Sequence, residues 1–104
     1  IIFVTEDQII TFNFISEKID ILYDFANDFT EQPEFFVFNE NQDVCIIAST
    51  IDTLMINLNN FDEIDLDLIY GLKDVKKLIF DDKFFYILAN NKNGLMGNFL
   101  LKLE

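Results

Sequence analysis

The stretch Cys45-Ile46-Ile47-Ala48-Ser49-Thr50-Ile51-Asp52-Thr53-Leu54-Met55 is answered 41 residues later, without a gap, by Tyr86-Ile87-Leu88-Ala89-Asn90-Asn91-Lys92-Asn93-Gly94-Leu95-Met96. An apolar run, an alanine, a polar turn and a Leu-Met pair follow in the same order in both. Upstream, Val37-Phe38-Asn39-Glu40 stands 42 residues before Ile79-Phe80-Asp81-Asp82. An earlier copy opens the chain, in Phe3-Val4-Thr5-Glu6-Asp7-Gln8-Ile9-Ile10. Recurrence at a near-constant spacing implies one small unit that packs against the next copy of itself.

Working outward, the units read as short strands. Apolar residues alternate with polar ones at Ile10, Phe12 and Phe14, at Ile19, Ile21 and Tyr23, and at Leu54, Ile56 and Leu58. That period of two belongs to a half-buried strand. Further strands are expected at Ile1–Thr5, Phe35–Phe38, Val44–Ala48, Val75–Phe80, Phe84–Ala89 and Leu95–Leu103. Ile64, Leu66 and Leu68 alternate with Asp65 and Asp67 and predict one more, with an acidic outer face. Breaks fall at Ala26–Pro33, Asn39–Asp43, Ser49–Asp52, Asn59-Asn60, Gly71–Asp74 and Asp81–Lys83; Asn93-Gly94 is a hairpin signal because both residues tolerate positive φ. Two segments also carry helical spacing. Leu22, Phe25, Ala26 and Phe29 stand three and four apart within 19–29, and 66–78 could form a helix broken at Gly71.

Four short strands in about 40 residues is the size of a β-propeller blade. Residues 68–94 carry a resemblance to the WD-repeat family. Gly71 stands where that family's Gly-His pair begins, with Leu72 in the histidine's place. Val75, Leu78 and Phe80 match its first strand, Asp81-Asp82 the turn, Ile87 and Ala89 the second strand, and Asn93-Gly94 the next turn. The family's Trp-Asp ending is absent; Leu58-Asn59 and Leu101-Lys102 fall near that position. The resemblance implies an all-β fold of antiparallel four-stranded blades, a propeller segment divided as 1–33 (the end of one blade and a connecting loop), 34–71 (a complete blade) and 72–104 (most of the next). Propellers typically close with four to eight blades. The chain is therefore expected to belong to a longer protein or to be completed by another chain. The competing expectation is a small antiparallel β-sandwich.

Composition removes several functions. The 104 residues include no histidine, arginine or tryptophan. Ser-His-Asp and Cys-His catalysis and imidazole zinc sites are excluded within this chain. The single cysteine, Cys45, lies in an apolar run and is expected to be a buried, inert thiol. One unpaired cysteine suits a reducing, intracellular (cytoplasmic or nuclear) location. The net charge is −12. Residues 1–72 hold 15 carboxylates and one lysine, whereas 73–104 hold four carboxylates and six lysines. A surface this negative repels phosphate backbones and anionic lipid, so neither direct nucleic-acid binding nor a membrane partner is expected. No apolar run approaches the roughly 18 residues that span a bilayer.

No motif specifies a reaction. Asp62, Glu63, Asp65 and Asp67 gather carboxylates without the spacing of a calcium loop, and read as a solvated strand face. The three glycines are too sparse for a phosphate loop. Phe35-Phe36-Val37-Phe38 and Phe84-Phe85-Tyr86 recur at equivalent places and read as packing between units. No cofactor, metal or catalytic residue is expected, and the chain reads as a non-catalytic interaction scaffold within a multiprotein or ribonucleoprotein assembly. The alternatives are a split propeller, paired edge to edge with a partner's sheet, and a propeller enzyme whose catalytic residues lie outside this segment. If the family's geometry carries over, partners meet the loops near 28–31, 50–53, 72–74 and 90–93. The expected contact residues are Asp28, Glu31, Asp52, Lys73, Asp74, Asn91 and Lys92.

Overall fold

A computed structural model describes residues 1–29, 31–90 and 96–102. It contains ten strands and one short helix among the described residues: β1 (Ile2–Val4), β2 (Gln8–Asn13), β3 (Lys18–Asp24), β4 (Phe35–Phe38), β5 (Val44–Ala48), β6 (Thr53–Asn57), β7 (Glu63–Asp65), α1 (Leu66–Tyr70), β8 (Lys73–Asp81), β9 (Phe84–Asn90) and β10 (Met96–Lys102). They form three antiparallel meanders, β1-β2-β3, β4-β5-β6-β7 and β8-β9-β10. The protein is thus mostly β, built from open antiparallel sheets. Each strand pairs with its neighbour in sequence, so the chain closes only short loops while building its sheets.

Turn chemistry repeats between the first two sheets at a spacing of 44. Thr5, at the β1–β2 turn, takes the amide of Gln8 on its hydroxyl at 3.0 Å, and its own amide bonds the Gln8 carbonyl at 2.8 Å. Ser49, at the β5–β6 turn, does the same with Asp52, at 3.0 and 2.8 Å. Asn13 opens the β2–β3 turn by accepting the Ile15 amide on its side chain at 2.9 Å; Asn57 opens the β6–β7 turn by accepting the Asn59 amide at 2.9 Å. Both of these turns close through a residue in left-handed backbone, Glu17 (φ 55°) and Phe61 (φ 62°). A non-glycine residue there costs on the order of 1 kcal/mol, so its recurrence at the same step reflects a common backbone path.

The three sheets stack face to face, with the β4–β7 sheet in the middle. Alternation along β5 decides this. Ile46 and Ala48 point one way and join Phe85, Ile87 and Ala89 of β9 in one apolar cluster. Cys45 and Ile47 point the other way and join Ile9 of β2 and Phe25 in a second cluster. All four β5 residues are fully buried. A strand buried on both faces reads as a continuous hydrophobic run, which is what Val44–Ala48 is. A two-layer sandwich would leave one of these faces in water; here a third sheet covers it. Burial pushes the Cys45 thiol up to about 12, so it stays protonated.

Two expectations need correction. The alternation through Ile64, Leu66 and Leu68 predicts a strand over that whole run, but β7 ends at Asp65 and one helical turn follows. The Asp65 side chain accepts the amides of Asp67 and Leu68, at 3.0 and 3.3 Å, and so caps α1. Gly71 ends it in left-handed backbone (φ 65°), its amide bonded to the Asp67 carbonyl at 2.8 Å. Leu66 is buried, while Leu68 is 83% exposed. The helical spacing within 19–29 also does not prevail: Lys18–Asp24 pairs with β2, and Phe25 turns into the core beyond it. β3 and β7 nonetheless end alike. Asp24 accepts the Ala26 amide at 2.9 Å just before buried Phe25, as Asp65 accepts that of Asp67 just before buried Leu66.

Candidate functional site

Because every sheet is a meander, the loops sort to two opposite rims. One rim collects the β1–β2 and β5–β6 turns with the passages from sheet to sheet, β3 to β4 and β7 to β8. The other collects the β2–β3, β4–β5, β6–β7 and β8–β9 turns. Of the expected contact residues, Asp28, Glu31, Asp52, Lys73 and Asp74 fall on the first.

Hydrogen bonds tie that rim together across the sheets. The Thr50 hydroxyl, in the β5–β6 turn, donates to the Glu31 carboxylate on the passage into β4. The Thr50 carbonyl accepts the Asp74 amide, at the start of β8, at 3.3 Å. The Asp74 carboxylate in turn accepts from the Asn90 side chain, at the end of β9, at 3.3 Å. Glu31, Thr50, Asp74 and Asn90 therefore form one line running from the first passage to the third sheet. Asp74 holds left-handed backbone (φ 49°) within a bulge between Lys73 and Lys77, which turns its amide towards Thr50.

The other expected residues are placed as follows. Asp28 is exposed on the passage from β3, its amide bonded to the Phe25 carbonyl at 3.0 Å. Partial burial raises the Asp28 carboxyl above the ordinary aspartate value, and the charge of Asp24 adds to this. Asp52 sits in the Ser49 turn, half-buried. Lys73 opens β8. Asn91 and Lys92 lie outside the described residues.

Sequence reasoning missed the apolar part of this rim. Ile51, Leu68, Ile69 and Tyr70 are each 48–83% exposed. Together with Asp67, Gly71 and Leu72 they line a surface pocket of about 340 Å³ between the β5–β6 turn and α1. Asp67 stands at its wall. Burial pushes that carboxyl up to about 6; the charges of Asp65 and Asp52 add to the rise, and hydrogen bonds from Thr53 oppose it. One Asp67 oxygen is buried with no hydrogen-bond partner among the described residues. The signal for the apolar patch is the Asp65 cap followed by Gly71: the single helical turn between them buries Leu66 and leaves Leu68, Ile69 and Tyr70 exposed.

Among the described residues, no group of three or more carboxylates or thiols is arranged to hold a metal ion. Likewise no helix is long and apolar enough to cross a membrane. No protein-family model, curated protein or solved structure matches the chain.

Proposed function

We propose that this chain is a segment of a WD-repeat-like β-propeller and acts as a non-catalytic interaction scaffold, a subunit of a larger protein or ribonucleoprotein assembly. Its blades, on this reading, are the three stacked meanders. The observation that carries the reading is the bonded line Glu31–Thr50–Asp74–Asn90, which holds loops of successive sheets in fixed relation along one rim. Loops held by a rigid scaffold are where partner contacts concentrate. The exposed Ile51, Leu68, Ile69 and Tyr70 beside that line supply the apolar centre that protein interfaces use, with acidic residues around it. The partner chemistry that fits is a protein surface with an apolar anchor and basic flanks.

The test is charge reversal on one rim against the other. Asp28→Lys, Glu31→Lys and Asp74→Lys are expected to weaken capture of the native partner from cell extract at least about tenfold, because each sets a lysine against the partner's basic flanks and like charges face to face are costly. Asp82→Lys, in the β8–β9 turn on the opposite rim, should leave capture unchanged. Thermal melts of all four should stay close to that of the parent chain. Normal capture by the three variants, or loss of the fold in them, sinks the assignment.

A further inference from the structure

The pocket between the β5–β6 turn and α1 has apolar walls and one carboxylate. Ile51, Leu68, Ile69 and Tyr70 stand around it, all exposed. Asp67 is half-buried in its wall, and one of its carboxylate oxygens is buried with no hydrogen-bond partner among the described residues. Thr53, at the start of β6, bonds the carboxylate. Among the described side chains, the charges that act on it are Asp65, at the end of β7, and Asp52, in the β5–β6 turn, both negative. The last turn of α1 carries no basic residue. A partly desolvated carboxylate with acidic neighbours and an idle acceptor is a cost to the folded chain, and a cation set beside it lowers that cost.

Resting on the reading of this rim as a partner-binding surface, we propose that the pocket receives one lysine or arginine side chain of the partner, its aliphatic stem along Ile51, Leu68 and Tyr70 and its charge beside Asp67. Charge complementarity chooses this occupant. An aliphatic anchor would cover Asp67 and strip its remaining water without pairing it, and an acidic one would be repelled by Asp52, Asp65 and Asp67 together. A bare metal ion wants several oxygen ligands, and no such group is arranged among the described residues. Long basic side chains join an apolar stem to a charged head, which is the pairing that this pocket offers. A regulatory consequence follows. Asp67 titrates at about 6, while the partner's lysine or arginine stays charged throughout, so the grip is firm at neutral pH and loosens under mild acid.

The probe is a capped peptide of one lysine between two leucines, titrated into the chain and followed by the methyl resonances of Ile51, Leu68 and Ile69. It is expected to shift all three. Its affinity should rise about tenfold between about pH 5 and about pH 7.5, the factor by which the charged fraction of a group titrating at about 6 grows. The same peptide with norleucine in place of lysine should bind at least about tenfold more weakly at the higher pH, as when one partner of a desolvated charge pair is removed. Asp67→Asn should lower the affinity of the lysine peptide to the norleucine level and abolish its pH dependence; Asp82→Asn, on the opposite rim, should change neither. The norleucine comparison is made on the parent chain, so it stands whatever the variant does to the fold. Bound peptide should also draw the Asp67 carboxyl, read from its carbon resonance, back towards the ordinary aspartate value. Resonances unmoved by about 10 mM peptide, equal binding of the two peptides, or an Asp67→Asn chain that binds like the parent at both pH values overturns the proposal. Any of these leaves the scaffold reading standing if the Asp28, Glu31 and Asp74 reversals still lose the native partner. Normal capture by those three, with the lysine peptide bound at Asp67, sinks that reading and keeps the pocket.

Discussion

Ile46→Ala and Ile47→Ala are each expected to lower the free energy of unfolding by about 2–5 kcal/mol, whereas Ile21→Ala lowers it by less than about 0.5 kcal/mol. The first two residues are neighbours in β5, fully buried, and face different clusters: Ile46 the β9 side, Ile47 the β2 side. Truncating either leaves a cavity between two sheets. Ile21 is 61% exposed on an open face, so truncation there removes little burial. A domain of this size has only about 5–15 kcal/mol of stability, so the double variant should be largely unfolded. Equilibrium urea unfolding followed by circular dichroism measures this, read as a shift of midpoint at unchanged slope. An Ile46 or Ile47 variant as stable as Ile21→Ala would mean that the middle sheet is covered on one face only.

Asp67→Asn is expected to stabilise the chain at pH 7.5 by about 1 kcal/mol, after discounting for the part of the side chain that water reaches, and to bring no gain at pH 4. The sign follows from where the proton is held. In the unfolded chain this carboxyl titrates near 3.8, and in the folded chain near 6. Between those values the unfolded chain has lost the proton while the folded chain keeps it. The stability of the parent chain therefore falls as pH rises through that window and levels off above it. The raised carboxyl of Asp28 acts in the same direction. Comparing Asp67→Asn with the parent at both pH values isolates the one residue. An asparagine variant less stable than the parent at pH 7.5 would show that bonding to Thr53 outweighs the burial of the charge.

How far the fold could be read from sequence depended on the kind of signal. Runs such as Val44–Ala48 read as strands because the polar breaks at Asn39–Asp43 and Ser49–Asp52 leave too few residues between them for a helix, and an unbroken apolar run fits a strand covered on both sides. In the match of Cys45–Met55 to Tyr86–Met96 the two apolar runs fall on β5 and β9, each the second strand of its sheet, while the second turn, 91–95, lies outside the described residues. Ile64–Leu68 misleads, since a period of two cannot distinguish an outward aspartate from one that caps a helix, and Asp65 is the latter. The strongest repetition, Thr5 with Ser49 and Asn13 with Asn57, lies in turn side chains whose shared geometry outlasts their different neighbours. Residue types at the rim were partly legible, because turns attract Asp, Asn and Lys. Its connectivity was not: Glu31, Thr50 and Asp74 meet only because three sheets stack, a tertiary fact with no local trace. The exposed Leu68, Ile69 and Tyr70 were hidden for the same reason that the strand was misread.

The central claim is that one sheet is buried between two others. Methyl cross-relaxation in a chain labelled at its isoleucine, leucine and alanine methyls tests it most directly. The account predicts contacts from Ile46 to the Ile87 and Ala89 group, and contacts from Ile47 to Ile9, in the same spectrum. Contacts from both residues to a single neighbouring sheet, or from either one to none, would contradict it.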